Sequence, residues 1–326
     1  MKKFKKDLKQ GEAFSSVFFV QSSEEGLSRE NKPNLKFSLA DKSGKISGYL
    51  WSSLSEVADT VKEGSFAVVE GTPRAKEGSL YVKIARIRIA EDSEVDYADF
   101  GAVTPKGIET LTGELHELVD TIGDEDCRRL ILSFTDDRSF MQAFRLVPAG
   151  KVVHHAYIGG LLEHTVGVMQ KASLIAEGLA YRDILLTAAF LHDIGKTQEL
   201  MILPRPAYSD EGSLLGHILL GCFMAEKAMA GLEDFPEELR LILIHMIASH
   251  HGKKEWGSPV LPSTPAAILL SYIDGMDARM NHAEAEIKKL NAYQVWGVYD
   301  WALKTRIYGK QYVPRDLRES RRLALV

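Results

Sequence analysis

Cysteine is scarce: Cys127 and Cys222 are the only two in 326 residues. That count excludes a disulfide framework, and their wide separation excludes a cysteine metal knuckle. Both read as small core side chains of a reducing compartment, so a cytoplasmic location is expected. Long hydrophobic runs are missing too. No stretch approaches the roughly 20 apolar residues that a membrane span requires, so no membrane partner is expected. The opening MKKFKKDLKQGEAFSSVFFV sets lysines before an apolar patch. Ser15 and Ser16 interrupt that patch and no small-residue cleavage site follows, which argues against a secretory leader. Nor is there a global excess of positive charge. The net charge is −5, the wrong sign for a general binder of polyanions.

What is present is a composition, 45% hydrophobic and 26% charged, that describes a soluble globular protein. A chain of this length exceeds one ordinary core, so two domains are expected. Charge separates them. Residues 1–90 carry 16 Lys+Arg against 11 Asp+Glu, whereas the remainder carries 24 against 34. Any grip on nucleic acid therefore belongs to the front. There, FSSVFFV (14–20), LKFSLAD (35–41), KISGYLW (45–51), SFAVVEG (65–71) and LYVKIARIRIA (80–90) read as strands divided by turns. SSLSEVADTV (52–61) has helical spacing. Five strands with one helix after the third match an OB barrel. Residues 91–107, with five acids, two glycines and a proline, read as a linker, and from 108 onward the apolar spacing is helical. The expected fold is two-domain: an N-terminal all-β OB barrel (1–92), a linker (93–110) and an all-α helical bundle (111–326).

The bundle carries the chemistry. AAFLHDIGK (188–196) sets an imidazole and a carboxylate into an otherwise apolar helix. Burying an ionised carboxylate without a partner costs several kcal/mol or more, so Asp193 demands a cation or a hydrogen-bond network. Most of the ten histidines fall between 154 and 251, on separate predicted helices. GGLLEHTVGVM supplies His164, LHDIGK supplies His192, LLGHILLG supplies His217, and LILIHMIASHHG supplies His245, His250 and His251. AILLSYIDGMDARM adds Asp274 and Asp277. Imidazole and carboxylate together bind first-row divalent metals, and a carboxylate can bridge two ions that jointly activate water and neutralise a phosphoryl oxygen. One such histidine alone is more simply a packed core residue; the ordered series points to a metal site.

The order of these residues is similar to that of the HD superfamily of metal-dependent phosphohydrolases. More narrowly, HHAYIGGLLEHT, LHDIGK and SHHGKKEWGSPVLP resemble the YhaM-type 3′-to-5′ exoribonucleases, which join an N-terminal OB fold to an HD domain. The resemblance implies that His164, His192, Asp193 and Asp274 hold a first ion, that Asp193 bridges, and that His217, His250 and His251 hold a second. Manganese is the implied metal, with iron, cobalt or nickel also suited to mixed N/O ligation. His154 and His155 become candidates for the substrate path. Lys196, one turn past His192, is expected to steady a substrate phosphate as a mobile charge, with a solvated surface lysine as the alternative. His245 falls off the ligand face, and His116 and His282 read as ordinary surface residues. Trp256, in GKKEWGSPV, either stacks on a base or plugs the bundle end.

In the third strand, Ile46, Gly48 and Leu50 share one face and Tyr49 and Trp51 the other. In the last, Val82 and Ile84 give way to Ile87 and Ile89, which predicts a bulge near Ala85 and Arg86. Arg86 and Arg88 then join Tyr81 and Lys83 outside. Tyr49, Trp51, Arg86 and Arg88 form a candidate surface for single-stranded RNA or DNA, against the alternative of a buried Trp51 and merely solvated arginines. The resemblance implies a 3′-to-5′ exonuclease hydrolysing single-stranded RNA to nucleoside 5′-monophosphates. A phosphohydrolase of free nucleotides or cyclic dinucleotides, and a non-catalytic nucleic-acid-binding protein, stand as alternatives. NAYQVWGVYDWALKTRIYGKQY (291–312) has roughly helical aromatic spacing and reads as core or as the contact surface of a homo-oligomer; the basic RDLRESRRLALV reads as a solvated end.

Overall fold

The structure, a computed structural model, describes residues 2–27, 31–52, 54–76, 78–150, 155–201, 207–291 and 293–310. Alternating apolar residues in the front third produce strands β1 (Phe14–Leu27), β2 (Pro33–Asp41) and β3 (Gly44–Leu50), then helix α1 (Leu54–Thr60), then β4 (Phe66–Lys76) and β5 (Ser79–Ile89). They close into a barrel in the order β1-β2-β3-β5-β4, antiparallel throughout except for the β3–β5 pair. This is the OB arrangement. Phe18, Phe37, Leu39, Ile46, Val69, Val82 and Ile84 fill the interior, and α1 presses Val57 against the same cluster. The expected bulge is present: β5 pairing steps from Arg86 opposite Glu70 to Ile84 opposite Gly71, leaving Ala85 as the extra residue. Ile87 turns inward as anticipated, but Ile89, still paired with Ala67 of β4, is exposed. β1 and β4 run several residues past their anticipated ends.

The expected linker is folded. Short 3-10 turns occupy Asp92–Glu94 and Tyr97–Asp99, and Phe100 is buried against Phe66 of the barrel with ring centroids 4.7 Å apart. Phe19, Phe66, Val68 and Ala90 of the barrel thereby share one continuous apolar cluster with the bundle. At the other end, Ile158 and Thr104 bond backbone to backbone at 2.9 Å. The acidic composition of 91–107 concealed these few large apolar anchors.

The bundle comprises α2 (Ile108–Asp120), α3 (Glu125–Thr135), α4 (Arg138–Phe144), α5 (Gly160–Ile175), α6 (Arg182–Leu191), α7 (Lys196–Glu199), α8 (Asp210–Ala230), α9 (Glu237–Ser249) and α10 (Pro265–Lys288). Two small hairpins interrupt it: β6 (Leu200–Met201) with β7 (Ala207–Tyr208), and β8 (Trp296–Asp300) with β9 (Thr305–Tyr308). The second falls where aromatic spacing suggested a helix. Asp300 accepts the Leu303 amide at 2.8 Å and Lys304 takes φ 55°, so the chain reverses there. His282 is correspondingly not a surface residue; it is buried against Asp300, with Nε2 2.8 Å from Oδ2, and pins the hairpin to α10. The solvated end expected for RDLRESRRLALV lies outside the described residues.

α8 alone among the described helices has the length and apolar composition of a membrane span. It is broken at Gly216, where φ 72° and ψ 158° leave the helical region, and it carries Asp210, Glu211, Glu226 and Lys227.

Candidate metal centre

Three helices and the ends of two others converge on one buried point. α5 contributes His164; the end of α6 contributes His192 and Asp193; α8 contributes His217; the end of α9 contributes His250 and His251; α10 contributes Asp274. Two glycines make the approach possible. At Gly195 a Cβ would stand 2.0 Å from the His217 carbonyl oxygen, so only glycine lets the His192-Asp193 turn touch α8. At Gly216 the positive φ ends one helical piece and restarts another with His217 as its first residue.

The donors separate into two groups: His164, His192 and Asp274, and His217, His250 and His251. Asp193 lies between them. Its Oδ2 is 3.5 Å from His164 Nε2 and 3.3 Å from His192 Nε2, while its Oδ1 is 3.5 Å from His217 Nε2 and 3.6 Å from His250 Nε2. Each carboxylate oxygen thus faces one group.

Acceptor chemistry fixes every imidazole. His164 Nδ1 donates to Asp277 at 2.7 Å, His192 Nδ1 to the Ala189 carbonyl at 2.7 Å, and His217 Nδ1 to Glu199 at 3.1 Å. His250 Nδ1 donates to the Ile247 carbonyl at 2.7 Å and His251 Nδ1 to the Trp256 carbonyl at 2.6 Å. Carbonyls and carboxylates only accept, so all five Nδ1 atoms carry hydrogen and all five Nε2 atoms point inward. His164 and His192 bring those nitrogens within 3.1 Å, His217 and His251 within 3.3 Å, and His164 Nε2 lies 3.2 Å from Asp274 Oδ1. Electron pairs held that close repel unless something positive sits between them. Donors bound at about 2.1 Å to one ion, at angles of about 90–110°, stand about 3.0–3.4 Å apart. His250 Nε2 and Asp193 Oδ1 are buried and without a hydrogen-bond partner. Geometry, tautomers and orphaned atoms all fit divalent cations.

Electrostatics agree. Burial opposes the charge on Asp193, yet Lys196, His192 and His217 hold its carboxyl well below the usual range. Burial likewise opposes ionisation of Asp274, and His164 and His192 reverse it. Burial pushes His250 well below the ordinary imidazole value, helped by His251 and His192, so it is neutral and ready to ligate. His164 is the exception: Asp274 and Asp277 outweigh burial and raise it to about 9, so a proton holds that corner where a metal ion is absent.

Other expected residues fall elsewhere. Lys196 is neither mobile nor solvated; it is buried and donates to Asp193 Oδ2 at 2.6 Å. His155 does not line an open path. It is packed behind His164 with Nε2 3.0 Å from Asp277 Oδ2. His154 lies outside the described residues. His245 accepts the Ser263 amide at 2.9 Å and steadies the loop before α10. Trp256 does not plug the bundle; it is 57% exposed, with the Lys253 ammonium 4.6 Å from its ring centre. On the barrel, Trp51 lies outside, stacked on Tyr49 at 5.8 Å, and Tyr81 packs edge-on against Tyr49 at 5.6 Å. Arg86 is exposed, opposite Glu70. Arg88 is not free for a ligand, because Glu94 takes its guanidinium through two 2.7 Å bonds. Strand pairing instead sets Lys36 and Lys83 on either side of Tyr49.

The residues behind the centre were barely visible in sequence. Asp277 accepts from His155 and His164 on Oδ2 and from Lys171 on Oδ1 at 2.7 Å. The Tyr157 hydroxyl, 3.0 Å from His155 Nδ1 and 2.9 Å from Glu163, continues this network to Thr104, which donates to Glu163 at 2.6 Å. Asp277 follows Asp274 by three positions and stands out with it in the sequence; Glu199 follows Lys196 by three, the one spacing that could have flagged it.

An HD domain matches residues 161–279. Over 277 residues the chain is 35% identical to a 3′-5′ exoribonuclease YhaM of Bacillus velezensis, covering 83% of this chain and 86% of that one. Over 287 residues it is 33% identical to the Bacillus subtilis protein of the same name, covering 86% and 89%. The barrel aligns with the second OB-fold domain of replication protein A from Methanococcus maripaludis, at 23% identity and a TM-score of 0.24 over 28% of this chain and 97% of that one.

Proposed function

The chain belongs to the family of YhaM 3′-to-5′ exoribonucleases, and from that premise we propose that it shortens single-stranded RNA from the 3′ end at two divalent ions. It is a hydrolase, and its HD domain is a divalent-metal site. The observation that carries the dinuclear reading is Asp193, with one oxygen toward each histidine group and Oδ1 otherwise unpaired. His164, His192 and Asp274 would hold one ion and His217, His250 and His251 the other, with Asp193 on both. Manganese suits five imidazoles and two carboxylates, as do iron, cobalt and nickel. Bound there, such ions supply an activated water and neutralise charge on the scissile phosphoryl group. The chain's own contribution is to hold seven donors rigidly on helices and to exclude bulk water from them. Lys196 serves through Asp193, fixing the carboxylate that both groups share.

Residues 1–92 would grip the upstream strand and residues 111–326 cleave it, with 93–110 fastening the two. Tyr49, Trp51 and Tyr81 offer faces for bases, and Lys36 and Lys83 offer charge for phosphates, a combination tolerant of sequence and sensitive to salt. Trp256 would stack on the terminal nucleotides beside His251. The exposed Trp296, Val298, Tyr299 and Trp301 of the β8–β9 hairpin suit contact with a second copy of the chain. Two buried thiols, raised by burial to about 12 at Cys127 and about 11 at Cys222, suit a reducing cytoplasm.

The test is hydrolysis by purified full-length protein with Mn2+. Single-stranded RNA labelled at its 5′ end should give a ladder shortening from the 3′ end, with nucleoside 5′-monophosphates released. Turnover of free nucleotides or a cyclic dinucleotide without a ladder overturns this reading. Asp193→Ala should abolish hydrolysis and leave RNA binding intact; wild-type decay by that variant refutes the shared carboxylate.

A further inference from the structure

We propose that Asp277 and Glu199 are paired positioning residues, one behind each metal position, and that they set the affinities of the two ions separately. This rests on the dinuclear reading above and deepens it. Of the five inward imidazoles, three lean on backbone carbonyls: His192 on Ala189, His250 on Ile247 and His251 on Trp256. The other two lean on carboxylates, and they are divided between the groups: His164 on Asp277 and His217 on Glu199. A carboxylate behind an imidazole makes its outer nitrogen a stronger donor and fixes the ring, which a neutral carbonyl does less well. Each ion thus receives one charge-backed histidine.

The two supports are built differently. Asp277 divides its charge among His155, His164 and Lys171, and Gly167 clears room for it: a Cβ there would stand 2.7 Å from Oδ1. Glu199 Oε1 accepts both the backbone amide of His217 at 3.0 Å and its Nδ1 at 3.1 Å. It therefore caps the helical piece restarting after Gly216 and holds the ring of that piece's first residue. Glu199→Gln keeps an oxygen in place and removes only the charge. Glu199→Ala removes the anchor. Asp277→Asn is mismatched either way round, since its amide must face the Lys171 ammonium or two imidazole N–H groups.

The experiment is calorimetric titration of chelator-stripped full-length protein with Mn2+. Wild type should take two ions. Glu199→Ala should weaken one of them roughly 10–100-fold and Glu199→Gln that same ion by less, leaving the other unchanged. Asp277→Asn should weaken the other one, and the double variant should weaken both. Melting of the metal-free variants separates this from a bracing role. Lower melting temperatures with both Mn2+ affinities unchanged would overturn the proposal. A wild type taking one ion would instead overturn the dinuclear reading itself, and the pairing with it.

Discussion

Alanine at position 195 is a sharp perturbation beside the candidate metal centre, because the atoms in its way belong to the backbone. The new Cβ would stand 2.0 Å from the His217 oxygen and 2.5 Å from the Gly221 nitrogen, and no side chain can swing aside to relieve either. Restoring an ordinary 3.4 Å contact moves the His192-Asp193 turn about 1.4 Å away from α8. Overpacking of this kind costs about 1–3 kcal/mol. The activity loss should be larger in proportion, because the displaced turn carries Asp193 away from His217 and His250, now 3.5 and 3.6 Å distant. A misplacement near 1 Å in such a site costs on the order of 100-fold. The assay compares kcat on a short single-stranded RNA with melting of the metal-free protein. Gly195→Ala should retain a folded transition a few degrees lower and lose about two orders of magnitude in kcat. A variant as active as wild type would refute the claim that this contact aligns the two histidine groups.

Stability of the metal-free protein should depend on His164. Burial opposes its charge, but Asp274 and Asp277 raise it to about 9, above the unfolded value of about 6.5. Its contribution, at most about 3 kcal/mol, is fully present below pH 6.5 and lost as pH rises through 9. Melting of stripped wild type should fall across that window and that of His164→Asn should not; parallel curves would exclude the effect. Combined Tyr49→Ala and Trp51→Ala should weaken binding of long RNA by about 1–3 kcal/mol per stacked base while sparing kcat on a dinucleotide. Equal loss on both substrates would place these rings outside the grip. Arg88→Ala, by contrast, should barely change RNA affinity in a filter-binding titration, since Glu94 already occupies that guanidinium.

The barrel and the convergence of histidines and aspartates were legible because both rest on strong local signals. Alternation is dictated by the pleat, so Ile46, Gly48 and Leu50 had to face away from Tyr49 and Trp51, and the phase slip in β5 could only be a bulge. The histidines stood out because imidazoles embedded in apolar helix have few purposes. What escaped depended on distant partners. Nothing near Arg88 announces Glu94 as a bidentate mate, and nothing near His282 announces Asp300. The hairpin at 296–308 mimics a helix in sequence because Tyr293, Trp296 and Tyr299 sit three apart, whereas Asp300 and Lys304 impose a reversal. A lysine at a helix end is usually free, which hides the role of Lys196; here Asp193 lies one turn behind it and burial closes the pair.

The strap between barrel and bundle bears on how the halves can be dissected. Thr104 is the far end of a polar relay that passes through Glu163, Tyr157, His155 and Asp277 to His164. A fragment begun at residue 111 would discard that hydroxyl along with the OB fold. Sluggish turnover in such a truncation would then be ambiguous between a lost handhold on RNA and a slackened ligand. Starting the excised catalytic half at residue 101 keeps the relay whole and isolates the barrel's share.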